Sequence, residues 1–185
     1  MELDKVIKER RSIRKYSSRK PNWRDIIEAI DLALKVPYAG NIHSIRFILV
    51  DKKELIEKIA EACQQDFVRE AQYLVVVCSD PTDVIRFYKE LGEIYVRQQA
   101  GAAIQTFLLK LTDLGLSGCW VGYFVEEQIK EILRIPESVY VEAVIPIGYA
   151  GERPLKKREA GVDNFLYFNL YRNKFMKPKK QVEAR

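Results

Sequence analysis

Hydrophobic positions recur along this chain with a few distinct periods, and those periods predict its elements. Leu3, Val6 and Ile7 share one side of a helix over residues 3–10. Ile26, Ile27, Ile30, Leu32 and Ala33 repeat near helical spacing over residues 23–36, and Pro37 ends the run. A short apolar strand is expected over 45–50. Residues 53–63 return to helical spacing, with Leu55, Ile56, Ile59 and Ala60 inward. Residues 73–78, YLVVVC, are continuously apolar, the pattern of a central strand buried on both faces. The longest helix is expected over 82–114, with a break near Gly92 and an inward stripe that includes Ala100, Ala103, Phe107 and Leu111. Gly115 is its stop. A glycine-broken apolar run over 116–124, a helix opening on Glu126 and Glu127 and a strand over 139–149 complete the pattern. Strands that alternate with helices argue for an α/β or α+β sheet covered by helices. The long apolar helix would serve both the core and a dimer interface.

Composition narrows this picture. At 185 residues and 48% hydrophobic, the chain suits one domain with a sizeable core. No apolar run approaches the length of a membrane span, and the charged first 24 residues contain no secretory h-region. Cys63, Cys78 and Cys119 show no C-x-x-C spacing, and with His43 as the one histidine a structural zinc site lacks ligands. Cys78 and Cys119 read as small buried side chains, and a reducing cytoplasm is the expected compartment. The net charge of +5 is uneven: residues 1–24 hold nine Lys/Arg against three Asp/Glu, and residues 172–185 hold six against one. The body between them is acidic and would repel a phosphate backbone, so neither nucleic acid nor membrane is expected as a partner. MKPKKQ reads as a solvated tail, whereas residues 165–175, FLYFNLYRNKF, are too aromatic for one and either wrap a partner or pack on their own subunit.

The motifs point away from side-chain catalysis. Neither G-x-G-x-x-G nor G-x-x-x-x-G-K-[ST] occurs, and with one histidine a Ser-His-Asp triad or an H-E-x-x-H zinc site has little material. His43 reads more readily as a pocket or loop residue than as a general base. What remains is a binding protein or an enzyme whose chemistry belongs to a cofactor. Four segments then carry the argument: RRSIRKY at 10–16, PYAGNIHS at 37–44, LGLSGCWVG at 114–122, and GYAG at 148–151 leading to Lys156-Lys157-Arg158. Three arginines within five residues suit a phosphate, because each guanidinium offers a planar fork of donors.

In order and spacing these segments resemble the short form of the nitroreductase family of FMN-dependent oxidoreductases, over nearly the whole chain. The resemblance implies an α+β fold with a central, mostly antiparallel sheet flanked by helices and a long central helix at a dimer interface. Residues 1–171 would form one FMN-binding domain and 172–185 a basic tail. The R-x-S-x-[RK] opening implies that Arg10, Arg11, Ser12 and Arg14 hold the flavin phosphate and ring edge. The loop with Pro37, Tyr38, Ala39, Gly40 and Asn41 implies contacts to the flavin from the partner subunit. The G-L-G-x-C-W-x-G-x-F segment matches Gly115, Leu116, Cys119, Trp120, Gly122 and Phe124 and implies a backbone N–H facing flavin N5, with Gly118, Trp120, Val121 and Gly122 beside the ring. Lys156 and Arg158 match the closing K-x-R as further phosphate ligands. Tyr38, Trp120, Tyr123 and Phe124 are candidate walls for a substrate on the open flavin face.

The implied reaction is ping-pong. NADH or NADPH reduces the flavin, and a small acceptor such as a quinone or nitroaromatic then takes two electrons. No catalytic side chain is named. A flavin-storage role, reductive dehalogenation and flavin breakdown stay open as alternatives. The departures from the family pattern gather on the substrate side: Tyr38 for Ser, His43-Ser44-Ile45 for Gln-Pro-Trp, and Thr106 for Asn in the long helix.

Overall fold

The computed structural model describes residues 1–154 and 161–176. The chain divides into two compact units, Met1–Pro154 and Leu155–Arg185. In the first, six helices, α1 (Leu3–Glu9), α2 (Trp23–Ala33), α3 (Lys53–Cys63), α4 (Thr82–Tyr88), α5 (Glu90–Asp113) and α6 (Glu126–Leu133), surround one sheet. Its strands are β1 (Ile45–Val50), β2 (Tyr73–Ser79), β3 (Ser117–Gly118) and β4 (Tyr140–Gly148), in the order β1-β2-β4-β3. Every pairing between these four strands is antiparallel, so the α+β alternative is the right one.

The continuous apolar run in β2 has the physical cause its sequence suggests: all seven residues are buried. Leu74, Val76 and Cys78 join a cluster with Ile56 and Ile59 of α3 and Ile129 of α6. Tyr73, Val75 and Val77 point the other way, onto Ile26 and Ala29 of α2 and Ala103, Ile104 and Phe107 of α5. Alternation along a strand thus gives the sheet a helical layer on each face. A bulge interrupts the β2–β4 ladder between Val77 and Cys78, leaving Glu142 without a partner residue. Its carboxylate accepts a hydrogen bond from Ser79 Oγ and pairs with Arg97 of α5 at 2.8 Å.

Local chemistry explains the helix ends. The Asn22 side chain accepts from Arg24 N at 3.1 Å and caps α2. The expected break in the long helix occurs at Lys89, three residues before Gly92, where φ is +52°. Gly92 has another job: a Cβ there would lie 2.6 Å from Ile85 Cα, so its absence lets α4 and α5 pack backbone to backbone.

In the second unit, Val162–Asn164 form a 3-10 turn. Asn173 O accepts from Phe168 N at 2.8 Å, and the Tyr167 and Tyr171 rings meet edge to face. Phe165, Leu170, Tyr171 and Met176 are exposed.

Candidate functional site

The first basic cluster is an extended ribbon on the sheet. After α1, Ser12 forms a parallel bridge to Gly118, and Ile13 N donates to Gly118 O at 3.4 Å. Ile13 is buried in the cluster beneath α3 and α6, while Ser12 and Arg14 are exposed. Alternation in the ribbon therefore sinks one apolar anchor and presents the donor-bearing side chains on the opposite side. Arg11 folds back on α1, donating to Lys8 O and to Arg10 O.

Tyr16 fastens the ribbon. Its buried hydroxyl lies 2.7 Å from Ile13 O and 3.1 Å from Pro146 O, and its one proton is shared between the two carbonyls. Burial, the largest influence, holds its pKa well above the usual phenol range, so it stays a donor. The 148–151 segment closes over it. Ser17 N donates to Tyr149 O at 2.9 Å and Gly151 N to Lys15 O at 2.8 Å. A Cβ at Gly148 would sit 2.9 Å from Tyr16 Cδ1, and one at Gly151 would sit 2.8 Å from Tyr16 C. Both glycines are thus required by close approach. Just beyond, the Glu152 carboxylate accepts from Arg14 N at 3.2 Å, and the Arg14 guanidinium lies 5.7 Å from the Phe67 ring centre.

The third segment meets this ribbon directly. Cys119 is buried, and desolvation raises its pKa. The positive charge of Arg14, a hydrogen bond with Ser12 and the charge of Arg10 act in the opposite sense. Gly118 faces the core: a Cβ there would meet Ile145 Cγ2 at 3.2 Å and Leu108 Cδ2 at 3.3 Å. Packing therefore accounts for this glycine. Gly122 is the open one, with only Trp120 Nε1, at 3.9 Å, near its missing Cβ. Val121 is buried and paired with Val144. Trp120 and Tyr123 are exposed, whereas Phe124 is half-buried and packs against the core.

The 37–41 loop is held by other neighbours. Ala39–Asn41 form a 3-10 turn in which Gly40 and Asn41 have φ of 58° and 57°. A Cβ at Gly40 would lie 2.8 Å from Tyr88 Oη. Tyr38 stacks on His43 with ring centres 4.3 Å apart, which makes the histidine a loop residue as expected. Tyr38 and Ala39 lie against α5, while Pro37 is exposed. Thr106 donates its hydroxyl to Ala102 O at 2.9 Å, within α5. Lys156 and Arg158 lie outside the described residues.

Three residues with a part in this arrangement carry no motif. Tyr16 closes the first segment, beyond its arginine and serine matches, and Glu152 follows the fourth; their roles come from pairing across the chain. Gln99 is a polar residue one turn before Ala103 on the inward stripe of α5, which is a readable signal.

The family model described as the Nitroreductase family matches residues 7–149. The chain belongs to the nitroreductase family. Among its relatives, a Methanothermobacter thermautotrophicus protein provisionally named NADH dehydrogenase/NAD(P)H nitroreductase is 35% identical over 83% of this chain and 80% of its own. An Archaeoglobus fulgidus protein of the same name is 34% identical over 78% of this chain and 83% of its own. The crystal structure of a nitroreductase family protein from Clostridium novyi superposes with a TM-score of 0.76 at 28% identity, covering 95% of this chain and 98% of that one. More distant relatives include FMN reductase [NAD(P)H] of Bacillus subtilis, 25% identical over 84% of this chain and 69% of its own. Iodotyrosine deiodinase of Thermotoga neapolitana is 22% identical over 78% and 86%. The family's sheet-and-helix fold is the one described above. No described helix is long and apolar enough to cross a membrane.

Proposed function

We propose that this nitroreductase-family chain is an FMN-dependent oxidoreductase, drawing on NADH or NADPH to reduce small acceptors such as nitroaromatics and quinones, and acting as a cytoplasmic homodimer. The observation that carries the reading is the ribbon. Arg10, Ser12 and Arg14 converge on Gly118 and Cys119, and the open backbone at Gly122 follows within four residues. Cationic donors beside an unobstructed backbone suit a ligand with a phosphate at one end and a flat ring at the other. FMN, when bound there, supplies the two-electron chemistry, which agrees with the absence of a nucleophile-and-base motif from the sequence.

The chain's own residues bind and orient. Arg10, Arg14 and Ser12 would hold the phosphate, each charge-assisted bond contributing about 1.5–3 kcal/mol. Lys156 and Arg158 would add to that set, and Arg11 would do so by releasing α1. The backbone of 120–122 would lie along the ring, with Trp120 and Tyr123 as walls. The 37–41 loop, held by α4 and α5 away from the ribbon's own partners, would reach the flavin of the partner subunit. The exposed side chains of Leu3, Ile7, Ile27 and Leu32 on α1 and α2 support an interface between copies.

Replacing Arg14 with Ala should reduce the flavin content of the purified protein strongly while leaving its far-UV circular dichroism unchanged. An Arg14→Ala protein that retains a full complement of flavin sinks the assignment. The deiodinase relative motivates the second reading, reductive dehalogenation. Iodide release from iodotyrosine, with no oxidation of NAD(P)H when a quinone or nitroaromatic is supplied, would favour it. A colourless protein whose nucleic-acid binding collapses with salt would exclude both.

A further inference from the structure

A cleft of about 380 Å³ lies where β1 ends, α3 begins and the Asp66–Glu70 turn runs toward β2. Buried Ile56 and Ala71 form its apolar part, and five charged side chains line the rest. One of the five, Arg69, is already committed, to Asp66 at 3.2 Å and to Glu57 at 3.8 Å. That leaves two cations, Lys20 and Lys53, and two anions, Asp51 and Glu70. Among the described residues none of these four belongs to an ion pair, although unlike charges share one concavity. Lys20 is drawn instead over the ring of buried Tyr73 in β2, with Nζ 4.8 Å from the ring centre. Asp51 and Lys53 flank Lys52, whose carbonyl accepts the first bonds of α3 from Leu55 N and Ile56 N at 3.0 Å each. Gln72 N donates to Ile147 O at 3.2 Å and ties the wall beyond Glu70 to β4.

We propose that this cleft binds a small zwitterion of the α-amino acid class, with its carboxylate toward Lys20 and Lys53 and its ammonium toward Asp51 and Glu70. The class of ligand follows from the charges. An inorganic anion would be repelled by Asp51 and Glu70, and a simple cation by Lys20 and Lys53. A neutral ligand would strip water from all four groups and pair none of them. A zwitterion offers a partner to both signs at once, through charge-assisted hydrogen bonds. The volume is in the range of small-ligand pockets, and the aliphatic surface of Ile56 and Ala71 suits an apolar side chain. None of these residues belongs to the arginine ribbon, so the site does not depend on the oxidoreductase reading.

L-Leucine is the probe, titrated at neutral pH into the full-length ¹⁵N-labelled protein as purified and followed by the backbone amides of Lys53 and Gln72. Both amides should shift saturably below about 10 mM ligand. N-acetyl-L-leucine lacks the ammonium and L-leucinamide lacks the carboxylate. Each should bind about tenfold more weakly to the wild type, the loss of charge-assisted pairing on one side, and that comparison needs no variant. Lys53→Gln should weaken L-leucine and lose the preference over L-leucinamide while keeping the preference over N-acetyl-L-leucine. Glu70→Gln should do the converse. Both side chains are exposed, so neither change disturbs the core. Absence of a saturable shift, equal binding of the three probes, or variants that leave both preferences intact would overturn the proposal. Shifts confined to Ser12, Gly118 and Gly122 would also overturn it, since the probe would then sit at the ribbon.

Discussion

Tyr16→Phe removes one oxygen from the joint that holds the arginine ribbon to the sheet. The hydroxyl is buried and shared between Ile13 O at 2.7 Å and Pro146 O at 3.1 Å, so both carbonyls lose their contact at once. Deleting a buried donor and leaving acceptors behind costs about 1–3 kcal/mol, and two shared carbonyls place the expected loss near 2 kcal/mol. For a chain of this size that is a fall of about 4–8 °C in Tm. Urea and thermal unfolding, read by circular dichroism at fixed protein concentration, measure it. A pH series adds a second signature. A phenol whose folded pKa is raised contributes stability that is fully present below its unfolded value, about 10, and lost as pH rises beyond it. The gap between wild type and Tyr16→Phe should therefore narrow above about pH 10. A variant within about 0.5 kcal/mol of wild type at neutral pH would refute the claim that this hydroxyl fastens the ribbon.

Gly92→Ala would press a methyl to 2.6 Å from Ile85 Cα, and despite the better helix propensity of Ala it should cost about 1–3 kcal/mol in urea unfolding; unchanged stability would contradict the close α4–α5 approach. Burial pushes the thiols of Cys63 and Cys78 up to about 12. Neither should react with a disulfide reagent at pH 8 until urea is added, and their contribution to stability, complete below about pH 8.5, should decline as pH climbs toward 12. Fast labelling of either thiol in the folded protein would count against that burial. Glu152→Gln removes a negative charge from beside Arg14 and should tighten FMN binding about two- to tenfold at low ionic strength, an effect that salt erodes. Flavin fluorescence titration reads it, and weaker binding would argue against a phosphate at the ribbon.

Much of the fold is legible in local pattern because its causes are local. The YLVVVC run is apolar because β2 is covered on both faces. The inward stripe of α5 follows its buried residues Ala100, Ala103, Ile104, Phe107 and Leu111. The helix break expected near Gly92 falls three residues earlier, at Lys89, because a lysine with positive φ leaves no compositional mark. Gly118 and Gly122 look alike in sequence, yet one answers to Ile145 and Leu108 in the core and the other to open space. The run over 116–124 reads as one apolar stretch, but only Ser117 and Gly118 form a strand, with Val121 as an isolated bridge. For the candidate site, the RRSIR cluster is visible in sequence as a dense run of guanidinium donors, but its attachment to the sheet is not. A parallel bridge from Ser12 to Gly118 joins residues too far apart in sequence to share any periodicity.

The joint at Tyr16 also dictates when, during synthesis, this surface can exist. Its hydroxyl reaches a carbonyl 130 residues downstream, and Arg14 is met by a carboxylate 138 residues away. Such distant pairings close only after intervening elements have condensed. A nascent chain can complete α1 and α2 early, yet the arginines have no seat until β4 and the GYAG segment have left the ribosome. On the proposed reading, a ligand of the ribbon would be captured late, once the domain has finished folding.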